Sequence, residues 1–569
     1  MVTRPDDLIY TVDDFPPWPR LILLGFQNVV LISIYLVFIV IKSNAAGSPQ
    51  HITVSAISMG MIAVAIATML QAIWKGPIGS GFLAPPVFSA IYLGPSLLAA
   101  KVGGLPAVFA MTIFAGAIEV LLSRYLQHLR GVFPPAVSGF IVLIVGIELG
   151  LVGIDQVLDV EAYKGPKFSQ HLFVSVLTLA IIMSLSVWFR GLMRLMCSML
   201  GIVVGFLVAI PLGLVESKSI ELFSSVKPFA LPDPGFISYH FESSLIPAFF
   251  TAGVASALRT IGVITTCQKI NDADWKRPEI KTIRGGMLAD GIGCMLGGLL
   301  GASGMNAAPS LVGVSKASGA TSRYIAFSAG AIFILIAFLP KVASVFLLLP
   351  MPVVGAALLA NASFMIAGGI QIMVSRNIDT RVTYVIGISL LLGLSRKVFP
   401  GYFEQLPHAL QLVTGTVLSL AIISAVLLNL IFRIGIKRTQ VFVFDESDIS
   451  LDRLTKFLQS QRKSWGLSEE VIERSVSTTT QIIHHLQEAH LILGSVKILV
   501  SYDQVDLVIN IDYQGTLLSL PNVGQKKRVF VEEEAFAYGL ADFLTGVYPD
   551  RMELSSKEKD ANIRLYFSA

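Results

Sequence analysis

The chain has 569 residues, 54% of them hydrophobic and 14% charged, with a mean hydropathy of +0.72. No soluble globular protein of this size carries that balance, so the composition places the chain in a lipid bilayer, which is its first expected partner. The net charge of +4 gives no reason to expect nucleic acid. Cys197, Cys267 and Cys294 are odd in number and lie in apolar runs, so buried packing is expected rather than a disulfide framework.

In chain order, residues 1–20 form an acidic, proline-rich leader (Asp13, Asp14, Pro16, Pro17, Pro19). The apolar run after it is too long for a signal-peptide core, so the first helix is expected to be retained. Runs long enough to span a bilayer then lie at about 21–42, 52–74, 80–100, 105–123, 134–154, 169–189, 193–215, 243–266, 283–302, 304–322, 325–349, 351–374, 380–398 and 408–434, which makes fourteen segments. Segment 3 opens on the helix-poor stretch Gly79 to Pro86, and segment 10 on Ser303 to Val312. Backbone that leaves the helix at membrane depth must be buried in protein or line a cavity. Two interrupted segments at matching places in two sets of seven point to a 7+7 inverted repeat with a midplane site.

Loop charges give the orientation. With the N-terminus inside, the inner loops collect thirteen Lys and Arg against nine outside, the nine including Lys42, and Arg433, Lys437 and Arg438 after the last segment add to the bias. Both termini are therefore expected in the cytoplasm of a multi-pass protein of the inner or plasma membrane. A boundary falls near residue 439: Lys and Arg outnumber Asp and Glu 29 to 19 before it and are outnumbered 13 to 19 after it. The expected domains are thus a leader (1–20), a transporter domain (21–438) and a cytoplasmic α/β regulatory domain (439–569).

Several motifs, Gly25-Phe-Gln-Asn28, Phe133-Pro-Pro-Ala-Val-Ser-Gly139, Gly146-Ile-Glu-Leu149, Leu288-Ala-Asp-Gly291 and Pro350-Met-Pro-Val-Val-Gly355, occur in an order and spacing that resemble the nucleobase/ascorbate transporter family, the xanthine/uracil permeases, over about residues 20–435. The resemblance implies an α-helical polytopic fold of fourteen segments, split into core and gate domains, with short strands of segments 3 and 10 meeting beside the substrate. It also implies a site drawn from Asn28, Phe82, Ala84, Arg259, Val263, Ser310, Leu311 and Gly313. The family's substrate-gripping carboxylate in segment 8 is replaced here by Arg259-Thr-Ile-Gly262, and its segment 10 signature by Ser310-Leu-Val-Gly313. The histidine the family carries after Gln in segment 1 is Asn28.

Charges at membrane depth are functional candidates by default, here Glu119, Glu148, Arg259, Asp290 and Lys316. Arg259 offers a fork of donors and no acceptor. Either it holds an anionic group of a ligand or it pairs internally with Glu119 or Glu148. Lys316 either joins an anion-attracting pocket at a half-helix beginning near Gly313 or snorkels to the surface. Ser303, Asn306 and Ser310 either donate to a ligand or pack helices. Asp290 and Glu148 fit scaffold motifs of the family. The histidines lack metal-ligand spacing, and neither a metal nor a cofactor is expected.

The tail alternates as strand (440–444), helices (451–464, 468–489), strands (496–502, 507–512), helix (535–545) and strand (562–567). This order resembles the ATPase-like fold of anti-sigma-factor and histidine kinases, but Ser477 and Gln481 stand where that fold carries its catalytic Glu and its Asn ligand. A degenerate regulatory or docking module, with a cytoplasmic partner, is expected. The whole reads as a secondary-active transporter of nucleobases or similar small planar solutes, not an enzyme, in a homodimer. A sulfate-permease-type anion carrier and a non-transporting receptor signalling through its tail are the alternatives.

Overall fold

A computed structural model describes residues 4–568 except 6–7, 126–133, 159–166, 190–191, 216, 274, 276–277, 375–377, 408–409, 412–413, 433–437, 445–450, 466, 468, 503–505, 517–548, 550 and 558–559. The chain divides into two compact units, Met1–Asn429 and Leu430–Ala569.

In the first unit the apolar runs become Trp18–Ala45 (segment 1), Gln50–Ala72 (2), Ala90–Arg124 (3 and 4), Pro135–Leu158 (5), Phe168–Trp188 (6), Cys197–Ala209 (7), Ile246–Asn271 (8), Ile280–Leu299 (9), Pro309–Ala317 (10), Tyr324–Ala337 (11), Met351–Met373 (12), Thr380–Val398 (13) and Val417–Phe432 (14). Among the described residues seven helices are long and apolar enough to cross a membrane alone. The others are half-helices, short, or more polar. Segments 3 and 4 are one helix broken at Gly103 and Gly104, where Gly104 has φ 66°, a conformation open to glycine at little steric cost. Segment 11 turns by 87° into Pro340–Leu348.

The packing list carries the repeat. Segment 4 packs on 8 and 9, and segment 11 packs on 1 and 2. Segments 3 and 10 meet each other, as do 5 and 12. Segment 12 holds 6 and segment 5 holds 13, while 6 pairs with 7 and 13 meets 14 where Gly393 faces Ala421. Exchanging the two halves, seven segments each, maps these pairs onto one another, as a 7+7 inverted repeat does, while the contacts of segment 5 with 6 and 8 and of segment 7 with 12 depart from the symmetry. The same contacts sort the segments into a core body (1–4, 8–11) and a gate body (5–7, 12–14).

Glycines set the closest crossings. A Cβ on Gly369 of segment 12 would lie 2.5 Å from the Leu143 amide nitrogen, and one on Gly139 would lie 2.7 Å from the Gly369 carbonyl. Without a hydrophobic drive between helices in lipid, such backbone-to-backbone contact carries association.

The leader is bound to the core body. Ile9 and Tyr10 amides donate to the Gly319 carbonyl, and Arg323 bridges Asp13 at 2.7 Å while stacking on Trp74.

In the second unit five antiparallel strands, β3 (Arg438–Phe444), β4 (Ile492–Tyr502), β5 (Asp506–Gly515), β6 (Arg551–Lys557) and β7 (Asp560–Ser568), order as β3-β4-β5-β7-β6. Helices Leu451–Trp465 and Glu469–Glu488 cover one face, burying Leu454, Leu458, Ile472, Ile482 and Leu486 with Ile498, Ile509, Ile563 and Phe567. Strand β6 was not expected from its sequence, because only Met552 and Leu554 alternate inward among charged and Ser residues. The helix expected at 535–545 lies outside the described residues.

Candidate substrate site at the crossing of two broken segments

Pro85 and Pro86 cannot continue a helix, and the chain runs extended through β1 (Pro86–Phe88). Strand β2 (Met305–Ala307) lies antiparallel to it, Val87 opposite Asn306. Gly304 permits the approach, since a Cβ there would lie 2.3 Å from the Tyr92 ring. Each strand feeds a half-helix. Ser89 Oγ accepts from the Ile91 amide at 3.3 Å to start one, and Pro309 starts the other in the first-turn position proline favours.

Beneath the strands lies a fully buried polar cluster. Asp290 Oδ2 accepts from Thr260 Oγ1 at 2.5 Å, from Asn306 Nδ2 at 2.8 Å and from the Ala307 amide at 3.1 Å. Glu119 accepts from Ser256 Oγ at 2.9 Å and from Thr260 Oγ1 at 3.1 Å. Asn306 Nδ2 also reaches Ser256 Oγ at 2.7 Å. The cluster thus ties segments 4, 8 and 9 to β2 and fixes where the second half-helix begins. Thr260 carries one hydroxyl proton for two carboxylates.

Beside the strands the packing opens. Pro309, Ser310 and Gly313 are exposed, and a Cβ on Gly262 or Gly313 would meet nothing within 4 Å. Arg259 Nη1 donates to Ser89 Oγ at 3.4 Å. The Tyr35 hydroxyl is 3.4 Å from Ser310 Oγ and within electrostatic reach of Arg259. Arg259, Ser89, Tyr35 and Ser310, with the first amides of the segment 10 half-helix, make this a donor-rich space. Among the described residues no carboxylate lies within 4 Å of Arg259, so it pairs with neither Glu119 nor Glu148.

The other named residues distribute as follows. Ala84 and Val263 are buried in an apolar cluster with Val312 and Leu8, and Phe82 packs against it. Leu311 faces a different cluster, among segments 1, 2 and 11. Asn28 is buried and donates to its own helix at the Leu24 carbonyl, 2.9 Å away. Glu148 lies elsewhere, against Gly94. The half-helix of segment 10 begins at Pro309, not near Gly313, because proline presets the first turn. Lys316 therefore sits in its last turn, exposed, where a cation complements the carbonyl end. Lys42, counted above with the outer loops, is 2% exposed and donates to Ser303 Oγ; the helix runs on to Ala45 and carries the lysine inward.

Tyr35, Ser89, Ser256 and Thr260 escaped the sequence reading. The one usable signal was Ser256 and Thr260, four residues apart on one helical face of an otherwise apolar run.

Two interrupted segments meeting through antiparallel strands, with half-helix N-termini at the crossing, define a membrane carrier built from two repeats. The chain belongs to the xanthine/uracil permeases, described as Permease family, whose profile matches residues 19–402. A relative in Clostridium perfringens carrying the provisional name of a purine permease is 28% identical over 432 residues, 75% of this chain and 93% of that one. Xanthine permease XanQ of Escherichia coli is 27% identical over 455 residues, 76% and 96% of the two chains. Among solved structures, the murine Solute Carrier 26 member A9 anion transporter in the inward-facing state aligns with a TM-score of 0.51 at 11% identity, covering 77% of this chain and 71% of that one, a likeness of fold alone. The protein is a multi-pass membrane transporter of a small-molecule solute.

Proposed function

We propose that the protein carries nucleobases of the xanthine type, in anionic form, by movement of the core body against the gate body. Membership of the permease family and relatives matched over more than nine-tenths of their length, named for purine and xanthine, support the substrate class. The observation that carries the anionic preference is Arg259, a guanidinium at the strand crossing with no carboxylate within 4 Å among the described residues. Ser310, Ser89, Tyr35 and the amides after Pro309 complete the donor set, with Gly313 leaving open space and Phe82, Ala84 and Val263 forming the apolar packing behind it. Asp290 and Glu119, sharing the Thr260 hydroxyl, are the groups through which a proton couples to strand movement. Both termini face the cytoplasm, the tail binds a regulatory partner there, and the carrier works as a homodimer.

Uptake into liposomes holding the purified full chain tests this with radiolabelled xanthine, urate, uracil and sulfate. Uptake of urate or xanthine is expected, with affinity falling as pH drops below the ligand's own pKa. Tight binding of neutral uracil, independent of pH and of Arg259, would remove the anionic preference. Sulfate uptake without purine uptake would make the protein an inorganic-anion carrier, and saturable purine binding without uptake would make it a receptor.

A further inference from the structure

A second cavity, of about 980 Å³, lies between core segments 1 and 3 and gate segments 5, 12, 13 and 14. It sits at the ends of these segments opposite the bound leader and is large enough for a small planar solute. Five charged side chains line it: Lys101 of segment 3, Glu148 and Asp155 of segment 5, Arg396 and Lys397 of segment 13. Glu148 reaches the core because residue 94 is glycine: a Cβ there would lie 2.2 Å from Glu148 Oε1. Lys397 acts electrostatically on Glu148, yet among the described residues none of the three cations comes within 4 Å of either carboxylate. Arg396 is steadied by the Pro400 carbonyl at 3.3 Å and by the Phe403 ring.

Acceptor and donors thus face one cavity without neutralising one another. A carboxylate accepts ring N–H groups, and ammonium and guanidinium donate to ring carbonyl or enolate oxygens. A heterocycle presenting N–H donors beside C=O acceptors complements both. The strand crossing offers the Arg259 guanidinium and hydroxyls that accept only weakly, with no carboxylate within 4 Å of Arg259 among the described residues, so a strong acceptor for ring N–H groups must come from elsewhere in the path.

We infer that this cavity is a second binding subsite for the transported heterocycle, with Glu148 accepting its ring N–H groups and Lys397 and Arg396 donating to its ring oxygens. The inference rests on the nucleobase reading above.

Uptake of radiolabelled xanthine by the full chain in liposomes, with 1,3-dimethylxanthine as competitor, tests it. Glu148→Gln and Lys397→Gln are each expected to raise KM about tenfold with kcat within about twofold. Wild-type protein is expected to prefer xanthine to the competitor, which lacks two ring N–H groups, and Glu148→Gln, which exchanges the carboxylate for a weaker neutral acceptor, to narrow that preference. Lys397 is exposed, so its variant reports even where Glu148→Gln folds poorly. Unchanged KM in both variants, with or without lost thermal stability, would overturn the subsite and leave the nucleobase reading standing. Wild-type protein that takes up no xanthine would overturn both.

Discussion

Arg259 brings five N–H donors to a membrane interior, where among the described residues it donates to the Ser89 hydroxyl and lies within electrostatic reach of Tyr35 and Asp290. Arg259→Ala is expected to abolish ligand binding while purified yield and Tm hold, because among the described residues no carboxylate lies within 4 Å of it, and Asp290, which it reaches only electrostatically, keeps its three hydrogen bonds. Were the side chain part of a buried ion pair, its removal would strand a charge at a cost of about 3–5 kcal/mol. A large fall in Tm with affinity retained would assign it to the scaffold. Asn306 is the opposite case. Its amide joins Asp290, Ser256 and Thr260 in one fully buried cluster, so Asn306→Ala leaves acceptors unsatisfied. That costs about 1–3 kcal/mol, read as a lower Tm of the detergent-solubilised protein. An unchanged Tm would mean that water replaces the amide.

Among elements, the crossing of segments 5 and 12 depends on absent side chains. Gly369→Val would set a Cβ 2.5 Å from the Leu143 nitrogen and 2.8 Å from the Gly139 carbonyl. Backbone cannot yield there as a side-chain tip can, so folded yield is expected to collapse. Gly368→Ala is the control, since a Cβ there meets nothing within 4 Å. Equal monodispersity of the two variants on size exclusion would contradict the crossing. The strands β1 and β2 are a different kind of element. Three residues each, they are too short to persist alone, and Asp290, through Asn306 and the Ala307 amide, fixes one of them from below.

For the whole molecule, the two compact units predict separable behaviour. Residues 440–569 expressed alone are expected to give a soluble folded domain, because Leu454, Ile472, Ile482 and the inward residues of β4, β5 and β7 close a core within that unit. This domain is expected not to hydrolyse ATP, since Ser477 and Gln481 offer neither a carboxylate base nor the usual metal ligand. ATP turnover by the isolated tail, lost on mutating Gln481 or Asp512, would defeat that expectation.

Composition and hydrophobic run length were enough to read the membrane class and the break in segments 3 and 10, because lipid lets only paired backbone cross and punishes every exception; against the fourteen expected segments, seven helices among the described residues are long and apolar enough to cross alone. Arg259 stood out as a candidate for the same reason, being costly wherever it sits. The polar cluster was not. Ser256 lies 137 residues from Glu119 and 50 from Asn306, and only the antiparallel pairing of β1 with β2, together with the packing of segments 4, 8 and 9, brings them to one point. Lys42 misled because a cation near the end of an apolar run reads as a loop, whereas the helix continues to Ala45 and buries it. Local pattern, in short runs, records what each stretch of chain needs from its solvent. Which distant side chain satisfies a buried donor, and which charges face one cavity across two bodies, is decided only when the halves of the repeat pack together.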